Sequence, residues 1–230
     1  MEELRRGRDE VAQIHGQMSG SVAVGMSSAA WLSLMPDAYK DFRSAFPQIR
    51  LHLLDGVFAV LEPRLLNGSL DFIVGPRPVE PLDHGYRVEL LFRNELVIGC
   101  REGHTHADVT DLNELIEIEW LLSGIRPKAE EELQQLFGAR GLRSPGSVTR
   151  VDSAIGLAIL LSSTDAVAQV PHQWLEMSVF GRQIHRIPIA DRIAGPDIVQ
   201  ISRAGVPLTP AAERFSTMLK RVAGRLDRPA

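Results

Sequence analysis

A single cysteine, Cys100, stands in 230 residues. No disulfide can form within the chain, and a reducing compartment fits. Positive charge is not in excess: 25 Lys and Arg face 29 Asp and Glu, for a net charge of −4. Nucleic-acid-binding domains concentrate Lys and Arg into a basic face, so autonomous DNA binding by this stretch is not expected. No apolar run approaches the ~20 residues that span a bilayer, and no membrane association is expected. The charged opening, Met1 to Glu10, is followed by no apolar run of signal-peptide length, and the expected location is cytoplasmic. Motifs are missing as well: there is no GxSxG elbow, GxGxxG fingerprint, P-loop or HExxH pair. Nothing points to an enzyme, and no cofactor is expected. Aromatic residues make up only 6%, but 44% hydrophobic and 23% charged residues are ordinary for a chain that buries a core.

The length allows one large domain or two lobes of roughly 100 residues each. Met1 to Met18 reads as a charged helix with Leu4, Val11 and Met18 seven apart. That seam suits a coiled-coil contact or a surface helix on its own domain. From Ser21 onward strands and helices alternate. Val22 to Val24 reads as a strand; Ser27 and Ser28, both good N-caps, follow, and then a helix that either starts close to Pro36 or is kinked there and ends near Phe46. Ile49 to Leu54 is a strand, Val60 to Asn67 a helix stopped by Gly68, and Leu70 to Val74 a strand. Val88 to Cys100 reads as one long strand. A second α/β set follows: strand Trp120 to Ser123, helix Glu130 to Phe137, strand Ser147 to Val151, apolar helix Ser153 to Ser162 and strand Ala166 to Val170. Ile184 to Ile189 and Ile198 to Ser202 complete the strands. Thr209 and Pro210 open a last helix whose Ala212, Phe215, Leu219 and Val222 form one apolar stripe. Two α/β sets joined by long strands imply two lobes and a crevice, with ligands expected outside the C-terminal strand ends.

The turns at those strand ends carry the candidate residues. Ser27 and Ser28 offer hydroxyls and first-turn amides to a carboxylate or sulfonate, or simply cap the helix. Val57 and Phe58 offer an apolar wall or a stacking ring. Ser123, Gly124 and Arg126 follow a strand of the second set, where Arg126 could take an anion in bidentate fashion or sit solvated at the surface. Ser153 is a cap or a ligand contact. His104 and His106 lack further ligands at metal-binding spacing, and no metal site is expected.

Several segments, taken in order, resemble LysR-type transcription regulators. They are Gly20 to Gly25; Leu34, Met35 and Pro36 with Phe42, Phe46 and Pro47; Leu61 and Leu65 with Asn67 to Phe72; Arg101 to His104; and Thr209 to Ala212 with Phe215. In the fourth, Thr105 stands where the family has proline. The resemblance covers Gly20 to about Arg225. It implies an effector-binding domain of α/β class: two Rossmann-like lobes, periplasmic-binding-protein-like (type 2), joined by two crossover strands. Residues 1–19 would be the end of a linker helix, 20–95 lobe I with 203–226 returning to it, and 96–202 lobe II. It also implies a small-molecule effector in the interlobe cleft, a homo-oligomer (dimers, tetramers at full length) and DNA contact only through an N-terminal winged helix-turn-helix absent here. Asp55 to Phe58 and Trp120 to Ser123 resemble the subgroup that senses aromatic carboxylates or sulfonates. A solute-binding protein of a transport system is the alternative.

Overall fold

The computed structural model describes residues 19–124, 126, 128–176, 178–179, 182–189 and 193–226, with Gly7, Val11 and Gln13 before them. Its chain divides into two units. The first is Met1–Asn94 with Pro196–Ala230, and the second is Glu95–Gly195.

Five strands build the sheet of the first unit: β1 (Ser21–Met26), β2 (Arg50–Asp55), β3 (Phe72–Pro76), β4 (Tyr86–Phe92) and β12 (Ile198–Arg203). Their order is β2-β1-β3-β12-β4. Strand β1 lies between β2 and β3, parallel to both. Its near-continuous apolar sequence is what a parallel strand covered on both faces requires. Helices α1 (Ser28–Ala45) and α2 (Phe58–Leu66) make the crossovers, and α5 (Pro210–Leu226) closes the unit. The expected stripe on α5 is buried and packs with α1 residues Leu34, Ala38 and Phe42. Phe42 meets Phe215 edge-on, with ring centroids 4.9 Å apart. Side chains buried this fully contribute about 1.5–3 kcal/mol each. Pro36 lies inside α1. Gly68 follows α2 with φ of 78°, the left-handed conformation expected for it. Thr209 Oγ1 accepts from the Ala212 amide at 3.3 Å, the expected cap of α5.

The principal strands of the second unit are β5 (Glu95–Arg101), β6 (Trp120–Ser123), β7 (Val148–Val151), β8 (Val167–Pro171) and β10 (Arg182–Arg186). The short β9 (Ser178–Val179) and β11 (Ile193–Ala194) border them. They form one sheet in the order β7-β6-β8-β5-β10-β9, with β11 paired to β5. Strand β6 runs parallel to β7 and β8. Helices α3 (Ala129–Gly138) and α4 (Ala154–Ser163) belong to this unit. Its core gathers Trp120, Phe137, Leu133 and Ile98.

Two sequence expectations are corrected here. Val88 to Cys100 is not one strand: pairing stops at Phe92 and resumes at Glu95, with the unit boundary at Asn94. The return to the first unit comes at Pro196, not at residue 203. Ile198 to Arg203 is β12, inserted between β3 and β4, because its alternating apolar residues cover the first unit's core. Leu4 and Met18 of the proposed N-terminal seam lie outside the described residues. Gln13, buried, is tied to the first unit: its Oε1 accepts from the Ala211 amide at 2.9 Å and its Nε2 donates to Ser19 O.

Candidate functional site

In the first unit β1 and β2 end level with one another. Met26 pairs with both Asp55 and Val74, so the turns after β1 and β2 emerge side by side. The Ser27 amide donates to Val74 O at 2.9 Å, which fixes Ser27 in the extended N-cap conformation. Its hydroxyl accepts from the Ala30 amide at 3.5 Å. Ser27 is therefore the capping residue, buried at 5% exposure. Ser28 is the first residue of the helix. Its half-buried hydroxyl and the amides of Ser28 and Ala29 have no partner among the described residues. Two amides and a hydroxyl then stand at the positive end of an 18-residue helix.

The turn after β2 is shaped by Gly56. Its amide donates to Met26 O at 3.0 Å, and its φ of 154° suits glycine. Val57 occupies the N-cap of α2 without any side-chain cap, so the Phe58 and Ala59 amides have no acceptor among the described residues. The side chains differ from the sequence expectation. Phe58 is buried against Leu61, Leu65 and Ile73, and its ring meets Tyr86 edge-on at 5.3 Å. It is a core ring, not an open stacking surface, because α2 turns its first residue toward the sheet. Val57 is 9% exposed. This turn presents backbone amides more than side chains.

The second unit repeats the arrangement. Ser123 pairs with Val151, and the next residue, Gly124, donates its amide to Val151 O at 2.8 Å. A Cβ on Gly124 would fall 1.6 Å from Asp152 Oδ1, so glycine is what lets the two turns lie together. Arg150 donates to Gly124 O at 3.2 Å. Ser153 caps α4, its Oγ accepting from the Gly156 amide at 3.1 Å. Ser123 is half-buried, and its hydroxyl has no partner among the described residues. Arg126 departs from both sequence readings. Its guanidinium is ion-paired with Glu132 in the first turn of α3 and only 18% exposed. Burial lowers its pKa, and the Glu132 charge opposes that shift. Its charge is already answered within the unit.

Each unit thus brings its own candidates together: Ser27, Ser28, Val57 and Phe58 in the first, Ser123, Gly124 and Ser153 in the second. Arg126 joins the Ser123 turn through its amide, which donates to Ser123 O at 3.1 Å. The His104 ring is fully used: the His106 amide donates to Nδ1 at 3.0 Å, and Nε2 faces Asp165 O at 3.0 Å. That pattern requires the proton on Nε2 and makes His104 a loop brace. Sequence reasoning missed a buried polar pair on β12, Gln200 and Ser202. Both alternate with the apolar Val199 and Ile201, and in the sequence alone that alternation reads as a solvent-facing polar row.

These features define a two-unit α/β domain with the type 2 periplasmic-binding-protein-like fold. The LysR substrate binding domain family matches residues 15–224, and the chain belongs to it. Among curated relatives, the HTH-type transcriptional regulator GalR of Pseudomonas putida is 27% identical over 96% of this chain and 56% of its own length. The chain spans just over half of that regulator. Among solved structures, the BenM effector binding domain with its effector benzoate has a TM-score of 0.68 at 18% identity. It covers 91% of this chain and 95% of its own. The effector binding domain of QuiR in complex with shikimate has a TM-score of 0.69 at 16% identity, covering 90% and 98%. The family is one of regulators, not enzymes, and the transport alternative finds no support. No helix among the described residues is long and apolar enough to cross a membrane.

Proposed function

We propose that this chain is the effector-sensing domain of a LysR-type regulator and that its effector is a small organic anion, an aromatic carboxylate or sulfonate. The observation that carries this reading is the Ser28 hydroxyl beside two amides at the start of α1, all without a partner among the described residues. Such a helix end attracts a carboxylate or sulfonate. Ser123, Gly124 and Ser153 in the second unit, and the amides of Phe58 and Ala59 beside Val57 in the first, are the other groups offered to the effector. Ser27 and Arg126 act by shaping their turns, Arg126 through its amide bond to Ser123 O. Benzoate and shikimate, held by BenM and QuiR, are small carboxylic acids and support the chemical class.

DNA contact belongs to the remainder of the full-length regulator, and ligand binding acts on it by shifting the balance between domain conformations. The partner at this level is a second copy of the chain. Helix α4 is apolar on every side, and Ile155 at 74% and Ile159 at 37% exposure are left uncovered. A helix apolar all round is one that is covered on both faces.

A thermal-shift panel of benzoates, arylsulfonates, aliphatic acids and amines tests the ligand class. Aromatic anions are expected to raise the melting temperature with dose, since a ligand that binds only the folded state stabilises it. Stabilisation by amines alone would overturn the reading.

A further inference from the structure

The sheet face beneath α5 changes character across the first unit. Under β1 and β3 it is apolar, with Val22, Val24, Phe72 and Val74 in the core. On β12 and β4 it turns polar. Gln200 pairs with Glu89 and Ser202 with Arg87, and alternation along each strand puts all four on one side. A cavity of 380 Å³ opens there between the strands, the first turns of α5 and the loop that precedes it. That volume is within the range of small-molecule pockets. None of Ser27, Ser28, Val57 and Phe58 lines it.

The floor of this cavity has polar groups in search of a partner. Gln200 is 3% exposed. Ser216 Oγ donates to its Oε1 at 2.8 Å, which fixes the amide and leaves Nε2 with no acceptor among the described residues. Ser202, 7% exposed, has a hydroxyl with no partner among them either. Both residues line the cavity and neither atom is fully enclosed, so both donors open onto it and are within reach of a ligand. The charged lining comprises Arg87, Arg203 and Lys220 against Glu89 and Glu213, one positive charge in excess. Glu89 is held by Lys220 and by Arg87, so it is the acid least able to repel an incoming anion. Val206, Pro207 and Leu208 form an apolar wall.

We propose that this cavity is a second ligand site, separate from the strand-to-helix turns, and that it takes a small monocarboxylate with an apolar tail. The carboxylate accepts from Gln200 Nε2 and Ser202 Oγ within the positive rim, and the tail lies on the Val206–Leu208 wall. Strand β4 is the last element before the chain enters the second unit and β12 the first after it returns, so a ligand here rests on both strands that lead to the crossovers.

The test is an NMR titration of the ¹⁵N-labelled chain carrying Ser28→Asp, a change that rests on the reading proposed above and is expected to remove anion binding at the first turn. Hexanoate, benzoate and butylamine are the probes, and the Gln200 side-chain NH₂ signal, assigned by its loss in Gln200→Met, is the readout. The carboxylates are expected to shift this signal to saturation and butylamine to leave it in place. Ser202→Ala, a change small enough to keep the fold, is expected to weaken the carboxylate response about tenfold. No shift with either carboxylate at millimolar concentration, or an equal shift with butylamine, overturns the proposal. The reading of the Ser28 turn is judged separately, by whether Ser28→Asp abolishes binding there.

Discussion

Asp71 and Ala23 hold each other at both ends. The Ala23 amide donates to Asp71 Oδ2 at 2.9 Å, while the Asp71 amide donates to Ala23 O at 2.8 Å. Asp71 is 9% exposed and Ala23 6%. The pair locks β1 to the start of β3 and so fixes the register of the strand that leads into the Ser27 turn. Asp71→Ala would leave a buried amide without its acceptor. A loss of about 1.5–3 kcal/mol in urea-melt stability is expected. Asp71→Asn, which keeps an acceptor oxygen, should recover part of it. Equal losses in both variants would refute the role of the carboxyl oxygen.

Gly25 is expected to resist substitution. A Cβ there would lie 2.4 Å from Leu61 Cδ1, and Leu61 is 3% exposed in the core beneath α2. Gly25→Ala must displace that side chain, at about 1–3 kcal/mol. Gly25→Ala with Leu61→Ala should show less than the sum of the single losses, because the smaller residue makes room. Additive losses would count against the contact.

The only thiol is predicted to be inert in the folded chain. Cys100 is fully buried in the core of the second unit, and burial pushes its pKa up to about 11. At neutral pH the thiolate that would react is scarce. Maleimide labelling should be undetectable in the native state and complete in denaturant. Rapid native labelling would show that the core around β5 opens readily.

Glu89 gives a prediction in acid. Burial raises its pKa, but the hydrogen bonds and charges of Lys220 and Arg87 outweigh that and hold the carboxyl below its ordinary 4.5. A depressed carboxyl contributes stability that is full above the unfolded value and lost as pH falls through the lower folded value. The stability difference between the parent and Glu89→Gln should be constant near neutrality and shrink below pH 4.5. A difference that grows on acidification would reverse the sign assigned here.

Much of this architecture is legible in the residues because particular positions admit few solutions. Gly68 has a left-handed φ that other side chains resist, and Thr209 before Pro210 allows little but a helix start. The sequence could not order Ser27 and Ser28. Both are good caps, and only the bond from the Ser27 amide to Val74 O decides which one caps and which keeps a free hydroxyl. Arg126 and Glu132 are six apart, a spacing with no helical meaning until the turn before α3 folds back. Phe58 reads as an exposed aromatic at a strand end, yet Tyr86, a distant residue, gives its ring a partner. The Arg93 and Asn94 break was hidden by apolar residues on either side of it.

The central claim is that an anion binds at the start of α1, and paired calorimetric titrations of the parent, Ser28→Ala and Ser28→Asp with the best aromatic acid from the panel test it most directly. Ser28→Ala should weaken binding by about 1–2 kcal/mol, for one hydrogen bond to a charged group. Ser28→Asp should abolish it, by placing a carboxylate where the ligand's is held. Unchanged affinity in Ser28→Asp would contradict the account.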